Sequence, residues 1–326
     1  MKKYIMPLII LVSLTILCVS PFVGAQQIPF SALFEAGDGT YVSVLRDLRI
    51  PRVMLGAIIG ATLAVSGLIF QALFRNSLAS PDMLGVSTGA AFGAVIFIRI
   101  GYLFTFTTTV SGISIAAFAG AAAATSIIYM AGSLRRGGMS EATLLLAGIA
   151  MSYFFGSMSM VVQYASGFVD SFRMVRWSMG GLQAVGYSQV WLTIPALLAV
   201  VISAYIYGPE LNLFVCGEYI AASRGVAVAK MRKILFLVIS FAVALTVSAC
   251  GPIGFIGLMV PHMCRKLVGT DHRRAALASL FFGAGFLVFC DTFARTVWAP
   301  AEVPVGIITS SLGSLFFLIL LIRGNK

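Results

Sequence analysis

Few residues in this 326-residue chain have the types and spacing that catalysis or metal binding needs. The two histidines, His262 and His272, are isolated, and no H-E-x-x-H zinc motif occurs. The five cysteines are odd in number and lack metal-ligand spacing, so we interpret them as packing residues. No G-x-x-x-x-G-K-[ST] phosphate loop occurs. The chain therefore shows no P-loop that could hold ATP phosphates and no spacing typical of a metal site.

One acidic residue lies inside a long apolar stretch. Asp291 is followed one helical turn later by Arg295, and residues with this spacing can pair. A carrier driven by protons or sodium usually has an ionisable or polar coupling site near the middle of the membrane. Because the only such acid has a basic neighbour, we expect any driving energy to come from a partner.

The charged residues, 22 basic and 11 acidic, occur in islands separated by long uncharged gaps. Seven of these gaps hold between 20 and 35 residues. A helix needs roughly 20 apolar residues to cross the hydrocarbon core of a bilayer. The hydrophobic content of 60% and the mean hydropathy of +1.01 agree with this reading. The sequence therefore predicts an all-α polytopic membrane protein embedded in the lipid bilayer.

We predict about ten spans in a single transmembrane domain, residues 1–326. The eighth would be only about 18 Å long, too short to cross alone, and Gly251-Pro252 separates it from the seventh. A half-length helix is tolerated where protein or a water-filled cavity surrounds its open end. The first span resembles a secretory signal with cleavage after Ala25. We count it as a span because an even number of spans places both termini on the same side of the membrane. The predicted spans are about 5–23, 50–74, 84–104, 111–131, 143–165, 190–207, 234–250, 253–264, 275–297 and 305–322.

Small residues recur four apart, as in Gly56-x-x-x-Gly60 and along the run Gly85, Gly89 and Gly93. This spacing lets helix backbones approach closely and predicts one compact bundle.

Orientation follows from lysine and arginine. With both termini in the cytoplasm, 15 of the 22 basic residues lie inside and 7 lie outside or near the outer ends. We therefore expect a multi-pass protein of the cytoplasmic (inner) membrane with both termini inside. The net charge of +11 does not indicate nucleic acid, because the basic residues are scattered between apolar spans.

Residues 211–233 are too polar to span and too apolar for a solvated loop. Gly225 could divide them into two short helices on the cytoplasmic face. Such an amphipathic segment suits docking to another protein, and an interfacial helix resting on lipid is the alternative.

Within this segment, Gly217-Glu218-x-x-Ala221-x-x-x-Gly225-Val226 resembles the coupling segment of the permeases of iron-chelate and cobalamin ATP-binding-cassette importers. The matching motifs follow the family's order from about Leu48 to Leu320. Together they are specific for this family, although no single motif would suffice. Further motifs that carry it are Leu48-Arg-Ile-Pro-Arg52, Arg75-Asn-Ser-Leu-Ala-Ser-Pro81, Leu84-Gly-Val-Ser-Thr-Gly89, Leu144-Leu-Leu-Ala-Gly148, Gly251-Pro-Ile-Gly-Phe-Ile-Gly-Leu-Met-Val-Pro-His-Met-Cys-Arg265, Gly269-Thr-Asp-His-Arg273 and Ala301-Glu-Val-Pro-Val-Gly306.

The resemblance implies a homodimer with one translocation path at the dimer axis. It also implies a pair of cytoplasmic ATPase subunits, which bind the ATP and magnesium, and a periplasmic or lipid-anchored substrate-binding protein. This subunit itself is then expected to hydrolyse nothing, not to be an enzyme, and to hold no metal and no cofactor. Substrates of the family are iron-siderophores, haem and cobalamin, and we expect an iron-siderophore first. The alternatives are a stand-alone secondary carrier and a non-transporting membrane scaffold.

The resemblance also implies site residues. Arg49, Arg52 and Arg295 match positions that face acidic residues of the binding protein, and we expect them at the periphery as rim charges. The alternative is that Arg295 pairs with Asp291 while Arg49 and Arg52 snorkel at a helix end. The remaining site residues are expected at the ATPase coupling segment (Gly217, Glu218, Ala221, Arg224, Gly225) and at a cytoplasmic gate (Ser140, Glu141, Ala142), where Glu141 departs from the family's small, hydroxylated pattern.

Overall fold

A computed structural model describes residues 2–24, 28–29, 39–101, 111–133 and 141–323. Every regular element in these ranges is helical. A π-helical turn, Val44–Arg49, joins α2 to α3, and short 3-10 turns lie at Ser20–Phe22 and Pro81–Leu84. The α-helices are α1 (Lys2–Val19), α2 (Thr40–Ser43), α3 (Ile50–Leu73), α4 (Val86–Ile100), α5 (Gly112–Ser133), α6 (Glu141–Tyr164), α7 (Phe168–Ser178), α8 (Ser188–Cys216), α9 (Glu218–Ser223), α10 (Val228–Cys250), α11 (Ile256–Val268), α12 (His272–Thr296) and α13 (Val305–Arg323).

Eight helical stretches of the described chain are long and apolar enough to cross a membrane. They are α1, the continuous α2–α3 rod, α5, α6, α8, α10, α12 and α13. The 15-residue α4 is a shorter apolar helix, and with the 13-residue amphipathic α11 these helices number the predicted ten. The prediction of an all-helical membrane protein of about ten helices, one of half length, is confirmed.

Helix α3 lies at the centre of the bundle and packs against α8, α10, α11 and α12. Its backbone approaches theirs closely at glycines. A Cβ atom added to Gly67 would lie 1.8 Å from the carbonyl oxygen of Gly257 in α11, and one added to Gly60 would lie 2.2 Å from that of Gly283 in α12. Only residues without a side chain permit such contact between helix backbones.

The predicted small-residue spacing also joins α4 to α5. A Cβ atom on Gly93 would lie 2.1 Å from the carbonyl oxygen of Ala116, and one on Gly120 would lie 2.2 Å from that of Gly89. These two helices therefore form a tight pair, as the spacing predicts.

Two features of the helix pattern differ from expectation. Helix α8 runs nine residues past the predicted end of its span, to Cys216. An amphipathic helix not predicted from the sequence, α7, lies between α6 and α8 and packs against α4. Helix α8 continues through the polar Glu210 without a break, whereas α7 is a separate helix that begins after the non-helical residues 165–167.

Candidate functional site

Five charged residues from distant parts of the sequence gather where α3 begins. We call Arg49, Arg52, Asp291, Arg295 and Glu302 the arginine cluster. Nε and Nη2 of Arg52 donate to the two carboxylate oxygens of Asp291, at 2.9 Å each in the shorter contacts. Nη1 of Arg52 donates to Oε2 of Glu302, also at 2.9 Å. Arg52 thus joins α3 to α12 and to the loop before α13.

Arg295 and Arg49 tie the end of α1 into the same cluster. Nη2 of Arg295 donates to the carbonyl oxygen and the hydroxyl of Ser20, at 2.8 and 2.9 Å. Nη1 of Arg49 donates to the carbonyl oxygen of Pro21 at 3.1 Å. Nε of Arg295 lies 3.7 Å from Asp291, so the expected Arg295–Asp291 pair exists, but the close hydrogen bonds of Asp291 go to Arg52.

The expectation that all three arginines are peripheral is wrong. The side chain of Arg295 is 5% exposed and that of Arg52 is 16% exposed. The cause is the acid in α12: Asp291 is 4% exposed, and a buried carboxylate needs cationic and hydrogen-bonding partners. Arg49 is half-buried and Glu302 is 46% exposed, so these two present charge at the surface of the cluster.

Two cavities adjoin the cluster. One of about 470 Å³ is lined by Arg49, Arg52, Arg295 and Glu302. The other, of about 710 Å³, extends between α4, α5, α7 and the end of α10. Arg52, Gln183 and Glu302 line both cavities, so the Arg52–Glu302 ion pair forms part of the wall between them. Other polar residues of the larger cavity are Ser114, Asp170, Arg173, Arg176, Gln189 and Ser248.

The predicted coupling residues lie together at the far end of α8. Gly217 has φ of +146° and Gly225 has φ of +85°, and these glycines bracket the six-residue α9. Ala221 is fully buried and its carbonyl oxygen accepts from the backbone N–H of Val226 at 3.0 Å. Tyr219 is 86% exposed. We call Gly217–Gly225 the α9 turn; it is a fixed projection with one buried face.

The structure corrects the expectation of two short helices in residues 211–233. Residues 211–216 continue α8, and residues from Val228 onward belong to α10, so α9 is the one short helix. An ion pair across the turn holds α9 against α10, since Nη2 of Arg232 donates to Oε2 of Glu218 at 3.2 Å.

Two cation–π contacts near the α9 turn could not be predicted from the sequence. The guanidinium groups of Arg75 and Arg232 each lie over the ring of the buried Phe214, 5.6 Å from its centroid. Arg75 lies in the turn after α3, Phe214 in α8 and Arg232 in α10, so no local sequence spacing indicates these contacts. They fix the end of α8 from which the α9 turn projects.

An amide also ties α8 to the start of α12. Oδ1 of Asn212 accepts from the backbone N–H of His272 at 3.0 Å, and Nδ2 of Asn212 donates to Asp271 at 2.9 Å. Asp271 caps α12 by accepting from the backbone N–H of Arg274. That hydrogen bond lowers the pKa of the Asp271 carboxyl, with the Asn212 amide adding to the effect.

The predicted gate is described only in part. Ser140 lies outside the described residues, while Glu141 and Ala142 begin α6. His262 lies against the rings of Phe316 and Phe317, in keeping with a structural role. Within the described ranges, no group of three or more histidines, cysteines or carboxylates could hold a metal ion.

Comparison with known proteins shows one family that matches nearly the whole chain. Residues 9–323 match the model of the FecCD transport family. The cobalamin import permease BtuC of Halobacterium salinarum is 40% identical over 91% of this chain and 78% of its own length. The hemin permease HmuU of Yersinia pestis is 35% identical over 97% and 95%. YfiZ of Bacillus subtilis, described as a probable siderophore transport system permease, is 31% identical over 100% and 97%.

Among solved structures, an inward-facing metal-chelate type ABC transporter superposes with a TM-score of 0.83 at 25% identity. The superposition covers 99% of this chain and all of that one. Permeases of this family are not enzymes and bind no cofactor, and a separate subunit hydrolyses ATP. The long helices, the matching family model and the relatives along nearly the whole chain together show that this protein belongs to the FecCD family of ABC importer permeases.

Proposed function

We propose that the chain is the permease subunit through which an iron-siderophore enters the cell. Family membership supports an importer for an iron chelate, haem or cobalamin. A relative described as a probable siderophore transport system permease aligns with the whole chain, and the solved structure with TM-score 0.83 is of metal-chelate type. That agreement between sequence and fold carries the preference over haem and cobalamin.

The experiment is uptake into vesicles that contain the permease, its ATPase and its binding protein. Ferric hydroxamate and ferric catecholate siderophores, haem and cobalamin are offered separately, with ATP inside. We expect ATP-dependent uptake of a ferric siderophore. Uptake of cobalamin or haem alone would refute the siderophore assignment while leaving the importer role in place.

The proposed orientation places the arginine cluster outside and the α9 turn in the cytoplasm, with both termini inside. It rests on the distribution of lysine and arginine between the predicted loops. Reporter fusions at Lys326 and near Asp38 test it. An externally active fusion at Lys326 would refute it.

The arginine cluster is the proposed docking surface for the substrate-binding protein. Arg49 supplies cationic surface beside the 470 Å³ cavity, and Arg52 and Arg295 supply positive charge behind it. Carboxylates on a partner would be steered toward such a surface. We therefore assign contact with partner carboxylates to Arg49 and to the Nη1 of Arg52 that faces Glu302, and positioning of the surface to Arg295.

The α9 turn is the proposed contact with the ATPase. Its fixed backbone, its buried Ala221 and its exposed Tyr219 suit a projection that enters a cleft in another protein. Glu218, Arg224 and Gly225 are exposed on the same turn. Ser140, Glu141 and Ala142 remain our proposal for the cytoplasmic gate, since they lie at or just before the start of α6.

Two copies of the chain are proposed to form the translocation path between them. Helices α6 and α13 are the apolar helices with the most exposed surface, being 17% and 22% buried over their most apolar windows. Part of that surface would face the second copy and part would face lipid. The mass of the complex in lipid nanodiscs distinguishes one permease copy from two.

A further inference from the structure

Arg52 contacts two carboxylates that differ in exposure: one is buried and the other is open to solvent. Two of its nitrogens bind the carboxylate of Asp291, which is 4% exposed and sits on the regular helix α12. The third binds Glu302, which is 46% exposed and sits in the non-helical segment between α12 and α13. A pair that is open to solvent on one side is worth much less than a buried one. Glu302 is therefore the partner that another carboxylate can replace.

The position of Glu302 gives such a replacement a consequence. The Arg52–Glu302 pair forms part of the wall between the 470 Å³ and 710 Å³ cavities. The segment that carries Glu302 continues through Val303, Pro304 and Val305, which also line the larger cavity, into α13. Release of Glu302 would therefore loosen one side of the larger cavity at the start of α13.

We propose that Glu302 occupies the place on Arg52 that a carboxylate of the docked binding protein takes, so that docking breaks the Arg52–Glu302 pair and opens the wall between the two cavities. This rests on the proposed docking role of the arginine cluster. Glu302 then acts as a specificity-determining residue, because only a partner that presents an acid at this point displaces it. Both oxygens of Asp291 keep Arg52 in place throughout, so the exchange needs no movement of α3.

A test that needs no partner is chemical labelling of the larger cavity. Ser114 lines only that cavity and is 6% exposed. Ser114→Cys, with the five native cysteines replaced by alanine or serine, is labelled in nanodiscs with an uncharged polyethylene glycol maleimide. We expect Glu302→Gln to raise the labelling rate roughly two- to fivefold. This is the factor by which the free energy of a solvent-exposed ion pair changes an equilibrium. Raising the salt concentration should raise the rate in the Ser114→Cys protein and leave that of Glu302→Gln unchanged.

Asp47→Asn is the matched control. Asp47 is exposed near the start of α3 and is not a partner of Arg52, so this variant removes the same charge without touching the pair. Its labelling rate should equal that of the Ser114→Cys protein. Equal rates in Glu302→Gln and the Ser114→Cys protein would overturn the proposal, as would an equal increase in Asp47→Asn.

Association with the binding protein provides the second measurement. Glu302→Gln should associate roughly two- to fivefold faster than Asp47→Asn, because the competing carboxylate is absent. Labelling that rises without faster association would refute the competition. The proposed docking surface is tested separately by Arg49→Glu. The docking proposal can therefore fail or hold independently of the results for Glu302→Gln.

Discussion

Arg52 and Asp291, 239 residues apart in the sequence, form the most completely hydrogen-bonded ion pair of the described chain, with three contacts of 2.9 to 3.2 Å. The pair joins the central helix α3 to α12. It also compensates a carboxylate that is almost fully buried.

Asp291→Ala should therefore strongly destabilise the permease. The substitution leaves the guanidinium groups of Arg52 and Arg295 without their shared buried counter-charge, and loss of one partner from a buried pair costs about 3–5 kcal/mol. Thermal unfolding in detergent, followed by size-exclusion chromatography, measures the loss. Asp170→Asn is the control: its pair with Arg173 is 4.0 Å long and largely exposed, so little change is expected. Equal midpoints for both variants would contradict the structural role of Asp291.

Gly67→Ala should disturb the contact between α3 and α11. The added Cβ would lie 1.8 Å from a backbone oxygen that no side-chain rotation can move. Overpacking of this kind costs roughly 1–3 kcal/mol. Gly156→Ala in α6 is a matched control, because nothing lies within 4 Å of its added Cβ. An unfolding midpoint for Gly67→Ala equal to that of Gly156→Ala would show that α11 is not packed as described.

Arg49→Glu should slow docking of the binding protein, while the folded permease is retained because Arg49 is only half-buried. We expect association to slow roughly tenfold at low ionic strength. The difference should shrink at about 1 M salt, where the Debye length is about 3 Å. Arg99→Glu makes the same charge change at the exposed end of α4, outside the lining of both cavities. Equal slowing by both variants would indicate a general charge effect rather than a docking site.

The fold could be predicted because the membrane imposes a length on uncharged segments. The gaps between charged residues located the spans, and spaced small residues predicted that helices pack closely in one compact bundle. What could not be predicted depends on pairing across the bundle. The four-residue spacing in the sequence indicated that Arg295 could pair with Asp291. The ion pair between Arg52 and Asp291 could not be predicted in this way, because it exists only after α3 and α12 pack together.

The α9 turn shows the same division. The resemblance located Glu218 and Gly225, and the structure places them on one exposed turn. The contact of Glu218 with Arg232 and the cation–π contacts of Phe214 needed the structure, since they join separate helices. Helix α7 was not predicted because its charged residues lie between two predicted spans, where a loop is expected.

The central claim is that the α9 turn couples ATP hydrolysis to transport, and the number of substrate molecules imported per ATP tests it most directly. Glu218→Lys inverts a charge at the proposed ATPase contact and removes the ion pair to Arg232. Gly225→Pro replaces a residue at φ of +85° with one fixed near −65°. Both variants should lower uptake several-fold in reconstituted vesicles while the ATPase subunits continue to hydrolyse ATP. If α9 instead rests on lipid, Glu218→Lys should strengthen attraction to anionic headgroups and leave transport intact. An unchanged ratio of uptake to hydrolysis in both variants, with full ATPase binding, would contradict the coupling role.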